Sequence, residues 1–224
     1  MLNEKSLHAS LKAWYAQPGD RIEEPVDGSL IDIVRGDSLI EIQTRGFSAL
    51  RHKLGRLVRG HPVRLVYPIA AEKWIVRLGA DGITPISRRK SPRHGAAVDL
   101  FRELVSFPRL LAHPNFTLEV LLIREEELRR HDPSANWRRR GWVTAERRLL
   151  GVVDSQVFAA PEDLACLLPA DLDEPFTTAE LAAALARPRR LAQQMAYCLR
   201  SAGVLEEVGR RGRGVLYARG KDEG

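Results

Sequence analysis

Two acidic side chains of this chain stand inside apolar, strand-like runs. Asp32 sits between Ile31 and Ile33, and Glu41 between Ile40 and Ile42, with Gln43 two residues further on. In alternating strands Asp32, Glu41 and Gln43 project to one face, while Ile31, Ile33, Ile40 and Ile42 project to the other. A tight turn between the strands brings Asp32 beside the other two. Two carboxylates converging next to a polar side chain can hold Mg²⁺ or Mn²⁺ through oxygen ligands. Such an ion activates water and stabilises the charge that grows on a phosphodiester. Carboxylates on alternating strands are also common as solvent-facing residues of a half-exposed sheet, so the surrounding elements decide between the two readings.

Those elements follow from periodicity and turn chemistry. Leu7, Leu11, Trp14 and Tyr15 recur at helical spacing over 3–17, and the pattern stops at Gln17-Pro18-Gly19-Asp20. Strands are expected over 22–26, 29–35 and 38–45, joined by the turn signals Asp27-Gly28 and Gly36-Asp37. Residues 47–59 carry Phe47, Leu50, Leu54, Leu57 and Val58 on one helical stripe. Buried strands follow at 63–69 and 73–78. The order is helix, three meander strands, crossover helix and strand, an α/β layer.

With that order, the span IDIVRGDSLIEIQTR resembles the strand–turn–strand segment of the PD-(D/E)XK nuclease superfamily, in which an Asp on one strand precedes a Glu-x-Lys on the next. The resemblance covers residues 1–80. It implies a restriction-endonuclease-like mixed sheet flanked by helices, with Asp32 and Glu41 as ligands of Mg²⁺ (or Mn²⁺) and Gln43 in the position usually held by Lys. Many members add a Glu on the first helix, where Glu4 is available. Gln cannot supply the charge of a Lys. Glu-x-Gln variants occur among competence-type nucleases of the superfamily, and related families move the cation to the next helix, where Arg51 and Lys53 stand. Two functions follow as expectations: a metal-dependent DNA endonuclease in repair, recombination or defence, or a catalytically inactive nuclease fold that only binds DNA. Nucleases of this kind that cut both strands are often dimers, so a homodimer is one expectation and the oligomeric state stays open.

Charge is distributed unevenly along the chain. The net charge is +6, with a balance of −4 over residues 1–44, +8 over 45–136 and +2 over 137–224. An acidic patch followed by a basic middle fits a cation site beside a phosphate-binding surface. Candidate phosphate contacts are Arg45, Arg51, Lys53, Arg56 and Arg59, then Arg88-Arg89-Lys90 and Arg93 in a proline-bounded stretch read as a basic loop. Arg138-Arg139-Arg140 between Trp137 and Trp142 could clamp a nucleic acid or protect a hairpin edge.

The middle of the chain reads as helices near 97–106 and 107–113, an apolar strand at 116–123, a solvated charged helix or turn at 125–131, and a strand pair across 142–158. Residues 1–160 are expected to form the nuclease-like domain and 161–174 a connector. Residues 175–224 resemble a winged-helix domain: a capping box from Thr177 to Glu180, a helix beginning near Pro188, and a hairpin with a basic, glycine-rich tip. Winged helices serve about equally as DNA readers and as protein-interaction modules, and Glu206-Glu207 stand beside this wing. As a DNA reader the domain implies contacts from Arg189, Arg190 and Gln193 on the second helix and from Arg210, Arg211 and Arg213 on the wing. Both Cys166 and Cys198 read as small core residues of a reduced cytoplasmic protein. No stretch approaches the length of a membrane span, so no membrane partner is expected.

Overall fold

The computed structural model describes residues 5–134 and 141–220. Helix α1 (Lys5–Tyr15) is followed by strands β1 (Arg21–Val26), β2 (Ser29–Arg35) and β3 (Ser38–Ile42). A 3₁₀ turn at Phe47–Leu50 runs into α2 (Arg51–Leu57), and β4 (Val63–Leu78) and β5 (Pro85–Lys90) come next. Short helical turns including α3 (Phe101–Leu104) precede β6 (Phe116–His131) and β7 (Trp142–Phe158). The C-terminal region holds a 3₁₀ helix (Pro161–Leu167), α4 (Thr178–Ala184), α5 (Arg189–Ser201), β8 (Leu205–Arg211) and β9 (Gly214–Arg219).

The first seven strands form one mixed sheet in the order β1-β2-β3-β4-β6-β7, with β5 paired to the far half of β4. The meander β1–β2–β3 is antiparallel, β3, β4 and β6 are parallel, and β7 returns antiparallel to β6. Asp27 and Gly28 both take positive φ, 47° and 70°. That is the backbone demanded by a two-residue hairpin turn, whose twist matches that of the strands. The expected helix–meander–helix–strand order is present.

Two apolar layers clasp the sheet. Leu7, Leu11 and Tyr15 of α1 bury against Ile33, Ile40, Ile42, Val66, Leu121 and Ile123. Trp14, expected on the same stripe, lies outside it and is exposed. On the other face Leu54 and Leu57 of α2 and Phe101 and Leu104 join a larger core with Leu39, Leu65, Phe116 and Leu118. That core continues into the C-terminal region through Phe176, Leu181, Leu191, Met195, Cys198 and Leu199. Cys198 is therefore a core residue, whereas Cys166 is exposed, contrary to expectation. Leu164 and Leu168 are buried in this core as well, so the start of the 161–174 connector is packed and not free.

The stretch 63–78 is one strand of 16 residues, not two. Pro68 is tolerated inside it for a specific reason. The Val66 carbonyl accepts from Gln43 N on the β3 side, and two residues later the missing N–H of Pro68 points to the side β3 has already left. Residues 142–158 likewise form one strand of 17 residues, and Pro85–Lys90 is an exposed edge strand, not a loop.

The charged run 125–131 is a continuation of β6, not a solvated helix. Glu125 is 0% exposed and pairs with Lys73 (2.7 Å) and Arg147 (2.6 Å) from the strands on either side. Two residues on, Glu127 pairs with Lys73 (3.1 Å) and Arg129 (2.8 Å) and accepts from Thr144 Oγ1 (2.8 Å). Burial pulls the Glu127 carboxyl up, but Arg129, Thr144 and Lys73 more than offset this and hold it at about 2. A carboxyl held at about 2 against an ordinary 4.5 contributes roughly 3 kcal/mol at neutral pH. Because its folded value is depressed, that contribution is full above pH 4.5 and is lost as the pH falls toward 2. Denaturant unfolding of wild type and Glu127→Gln should differ most above pH 5, with the difference shrinking steadily below pH 4; a pH-independent difference would contradict this.

Candidate functional site

The site lies where β2 and β3 separate. Their ladder pairs Arg35 with Ser38, Val34 with Leu39 and Ile33 with Ile40, and stops there. The next residue of β2 is Asp32, and its Oδ2 accepts from the backbone N–H of Ile42 at 2.8 Å in place of a strand carbonyl. The β1 residue beside it, Glu23, has φ of +54°, a costly conformation for a residue with a side chain. Alternation therefore fails at this point. Ile33, Ile40 and Ile42 face α1 as expected, but Ile31 faces the α2 side together with Leu39.

Side chains from two helices surround the break. From α1, His8 Nε2 lies 3.1 Å from Asp32 Oδ2, and Lys12 pairs with Glu23. From α2, Lys53 Nζ lies 2.6 Å from Glu41 Oε1 and donates to the Leu30 carbonyl, also at 2.6 Å. Glu41 is 8% exposed, and its second oxygen, Oε2, is buried with no hydrogen-bond partner among the described residues. Among the described residues the hydrogen bonds of Asp32, from His8 and the Ile42 N–H, fall on Oδ2, which leaves the lone pairs of Oδ1 free of these two donors.

The electrostatics separate the two carboxyls. Burial alone raises Asp32, but His8 and the Ile42 N–H together outweigh it and hold the carboxyl below its usual range. Glu41 is pushed up, by burial first and by the Asp32 charge second, with Lys53 only partly compensating. His8 is raised by its hydrogen bond to Asp32, against the effect of burial. A buried carboxylate oxygen with no partner, held against a second carboxylate, is a costly arrangement unless something positive meets it.

Asp32 and Glu41, both expected from the sequence, stand close enough for the Asp32 charge to act on Glu41. The sequence left the helix cation open between Arg51 and Lys53; Lys53 reaches Glu41, while Arg51 is exposed on α2. Gln43 is adjacent in the chain, but its amide donates to the carbonyls of Arg45 and Gly46 and so folds the loop that leads into α2. His8 and Lys12 were missed. Their signal was the i, i+4 spacing on α1, beside the buried Leu7–Leu11 stripe. Glu4 and Trp137 to Arg140 lie outside the described residues.

The basic candidates are spread more widely. Arg56 donates to Ser29 Oγ beside the first hairpin. Arg88 pairs with Glu126 (2.8 Å) and Lys90 with Glu72 (3.3 Å), both cations also lying over the Trp74 ring; Arg89 is exposed between them. Arg189, Arg190 and Gln193 are exposed on α5. Of the wing residues, Arg210 and Arg213 are exposed, whereas Arg211 pairs with Glu180 of α4 (2.5 Å). Among the described residues no group of three or more His, Cys, Asp or Glu side chains converges as a metal cluster.

Residues 5–159, from α1 through β7, match the family model described as Domain of unknown function (DUF8091), and the chain belongs to that family. An uncharacterized protein of Treponema pallidum (strain Nichols) is 33% identical over 180 residues, covering 80% of this chain and 71% of that protein. No solved structure matches. No helix among the described residues is long and apolar enough to cross a membrane.

Removing Lys53 leaves Glu41 buried beside Asp32 without its cation. Lys53→Met should cost about 2–3 kcal/mol in denaturant unfolding, and adding Glu41→Gln should restore most of it. Additive losses in the double variant would show that the pair is not coupled.

Proposed function

We propose that the chain is a metal-dependent phosphodiesterase acting on DNA, built on a restriction-endonuclease-like sheet with a C-terminal winged helix. One observation carries this reading. Glu41 presents a buried, unpartnered oxygen beside Asp32, at the point where two strands diverge, with an ammonium on its other oxygen. The donors fit Mg²⁺ or Mn²⁺: both are carboxylate oxygens, and a divalent cation between them relieves both the orphaned oxygen and the mutual repulsion. Mg²⁺ in particular keeps several waters and takes only one or two protein carboxylates.

In this reading Asp32 Oδ1 and Glu41 Oε2 would hold the ion, which when bound would supply water activation and charge neutralisation at the phosphate. His8 and the Ile42 N–H fix the Asp32 carboxylate, so that its free oxygen is aimed and ionised before substrate arrives. Lys53, on the helix that follows Gln43, supplies the cation that Gln43 lacks and orients Glu41. Gln43 shapes the loop that carries Arg45 and Gly46.

The C-terminal region supports the DNA assignment. Phe176 bridges to Tyr217, so the segment before α4 joins the β8–β9 hairpin, and α5 turns Arg189, Arg190, Gln193 and Tyr197 outward. Arg210 and Arg213 extend from the hairpin beside that helix, an arrangement suited to phosphates on either side of a groove. Arg211 serves instead to tie the wing to α4.

Labelled single-stranded, duplex and forked DNAs incubated with Mg²⁺, Mn²⁺ or chelator test the reading. Wild type should cut only with metal, and Asp32→Ala and Glu41→Ala should each lose at least about a hundredfold in rate. Salt-sensitive binding without cutting, unchanged by Asp32→Ala, would instead identify a DNA-binding protein on an inactive nuclease-type sheet.

A further inference from the structure

Strand β4 outruns its neighbour. β3 ends at Ile42, opposite Val66, whereas β4 continues to Leu78, twelve residues further along. At about 3.3 Å per residue the extension measures about 40 Å. Val66 and Ile69 of β4 and Val120, Leu121 and Ile123 of β6 still belong to the main cores. Beyond Ala70, β4, β6 and β7 continue as an arm, with β5 folded back along its edge. A small apolar cluster of Val76, Leu78 and Leu128 and the Lys73–Glu125–Glu127–Arg147 ladder stiffen it from within.

The arm ends in a tightly held turn. Gly79 N donates to the Thr84 carbonyl (2.8 Å), and Gly82 takes φ of +69°. The Asp81 carboxylate accepts from the backbone of Ile83 (3.0 Å) and of Thr84 (2.9 Å) and from the Thr84 hydroxyl. What this turn presents is apolar. Ile83 is 80% exposed and Ile86 61% exposed. The stem below them is cationic, carrying Arg77, Arg88, Arg89 and Lys90, of which Arg88 and Lys90 are paired with Glu126 and Glu72. The turn is thus an aliphatic point on a basic stalk that springs from the strand flanking the carboxylate pair.

We propose that the β4–β5 turn is a strand-separating wedge for a forked or open-ended DNA duplex. Ile83, backed by Ile86, enters the base stack, while Arg77, Arg88, Arg89 and Lys90 meet the phosphates. Apolar side chains inserted between base steps unstack them, and flanking cations supply the backbone attraction. An anionic lipid surface offers a similar pairing of charge and oil. DNA is favoured because the stalk continues the strand that runs beside the proposed phosphodiesterase site, on which this inference rests. With duplex laid along the stalk at about 3.4 Å per base pair, the wedge stands about twelve base pairs from Asp32 and Glu41. Cutting is therefore set at a fixed distance of that order from the point where the strands separate.

The wedge is tested without cleavage by full-length wild type in chelator, with forked duplexes carrying 2-aminopurine at the junction. The fluorescence of the probe should rise severalfold on binding, reporting unstacking. Ile83→Asp, an exposed position whose thermal unfolding should match wild type, should abolish the rise while changing affinity by less than about threefold. A rise unaffected by Ile83→Asp and Ile86→Asp together, or no rise at all, overturns the wedge. So does a result in which Ile83→Asp abolishes binding to phosphatidylserine vesicles and leaves DNA unstacking intact. With Mg²⁺, Ile83→Asp should still cut single strands and lose only the fixed offset on forks. Unstacking by a wild type that never cuts in any metal would leave the wedge standing and remove the phosphodiesterase reading alone.

Discussion

Asp32 accepting the N–H of Ile42 is the contact on which the site depends. A carboxylate takes a donor that would otherwise serve a neighbouring strand, so β2 and β3 must diverge immediately beyond the Ile33–Ile40 pair. The divergence puts Asp32 within reach of His8 on α1 and leaves Glu41 directed toward Lys53 on α2. Each carboxylate is thus fixed by a helix on a different side of the sheet. The cost is visible locally: Glu23 in the left-handed region, Glu41 with an orphaned buried oxygen, and two like charges held together. Strain of that kind is unusual where only stability is at stake, and clusters where charge has to be handled.

The rest of the molecule holds that break in place. The apolar layer of α1 fixes Ile33, Ile40 and Ile42 from one side, and the larger core fixes Leu39 from the other. Because that core runs on into α4 and α5, the C-terminal helices are packed against the same scaffold. Arg187 adds a polar tie, donating to the His94 carbonyl (3.3 Å). The arm is held differently. It has too little apolar surface for a large core, and its rigidity comes from alternating charges on adjacent strands, with Glu125 and Glu127 each matched by two cations.

Much of this was legible in the sequence. The meander with its Asp27-Gly28 turn, the crossover helix and the Asp32–Glu41 pair follow from alternation and turn chemistry, and the Thr177–Glu180 capping box marks α4 where it occurs. What failed did so for identifiable reasons. Ile31 and Asp32 break period two because a side chain replaces a backbone acceptor, which no pattern of residue types announces. The run from Glu125 to His131 looked solvated because its partners, Lys73 and Arg147, are more than twenty residues away on either side. His8 looked like an ordinary helix residue, since only the third dimension places it against Asp32. Arg88 and Lys90 read as loop charges because Trp74, whose ring they cover, belongs to another strand.

Joint binding of one divalent cation by Asp32 and Glu41 is the property from which the proposed chemistry follows. Titration of the full-length protein with Mn²⁺, followed by electron paramagnetic resonance of the free ion, measures this directly and needs no substrate. Wild type should show one site, lost in both Asp32→Ala and Glu41→Gln and retained in Gln43→Ala. Equal Mn²⁺ binding by wild type and Asp32→Ala, or no site in wild type, would contradict joint binding.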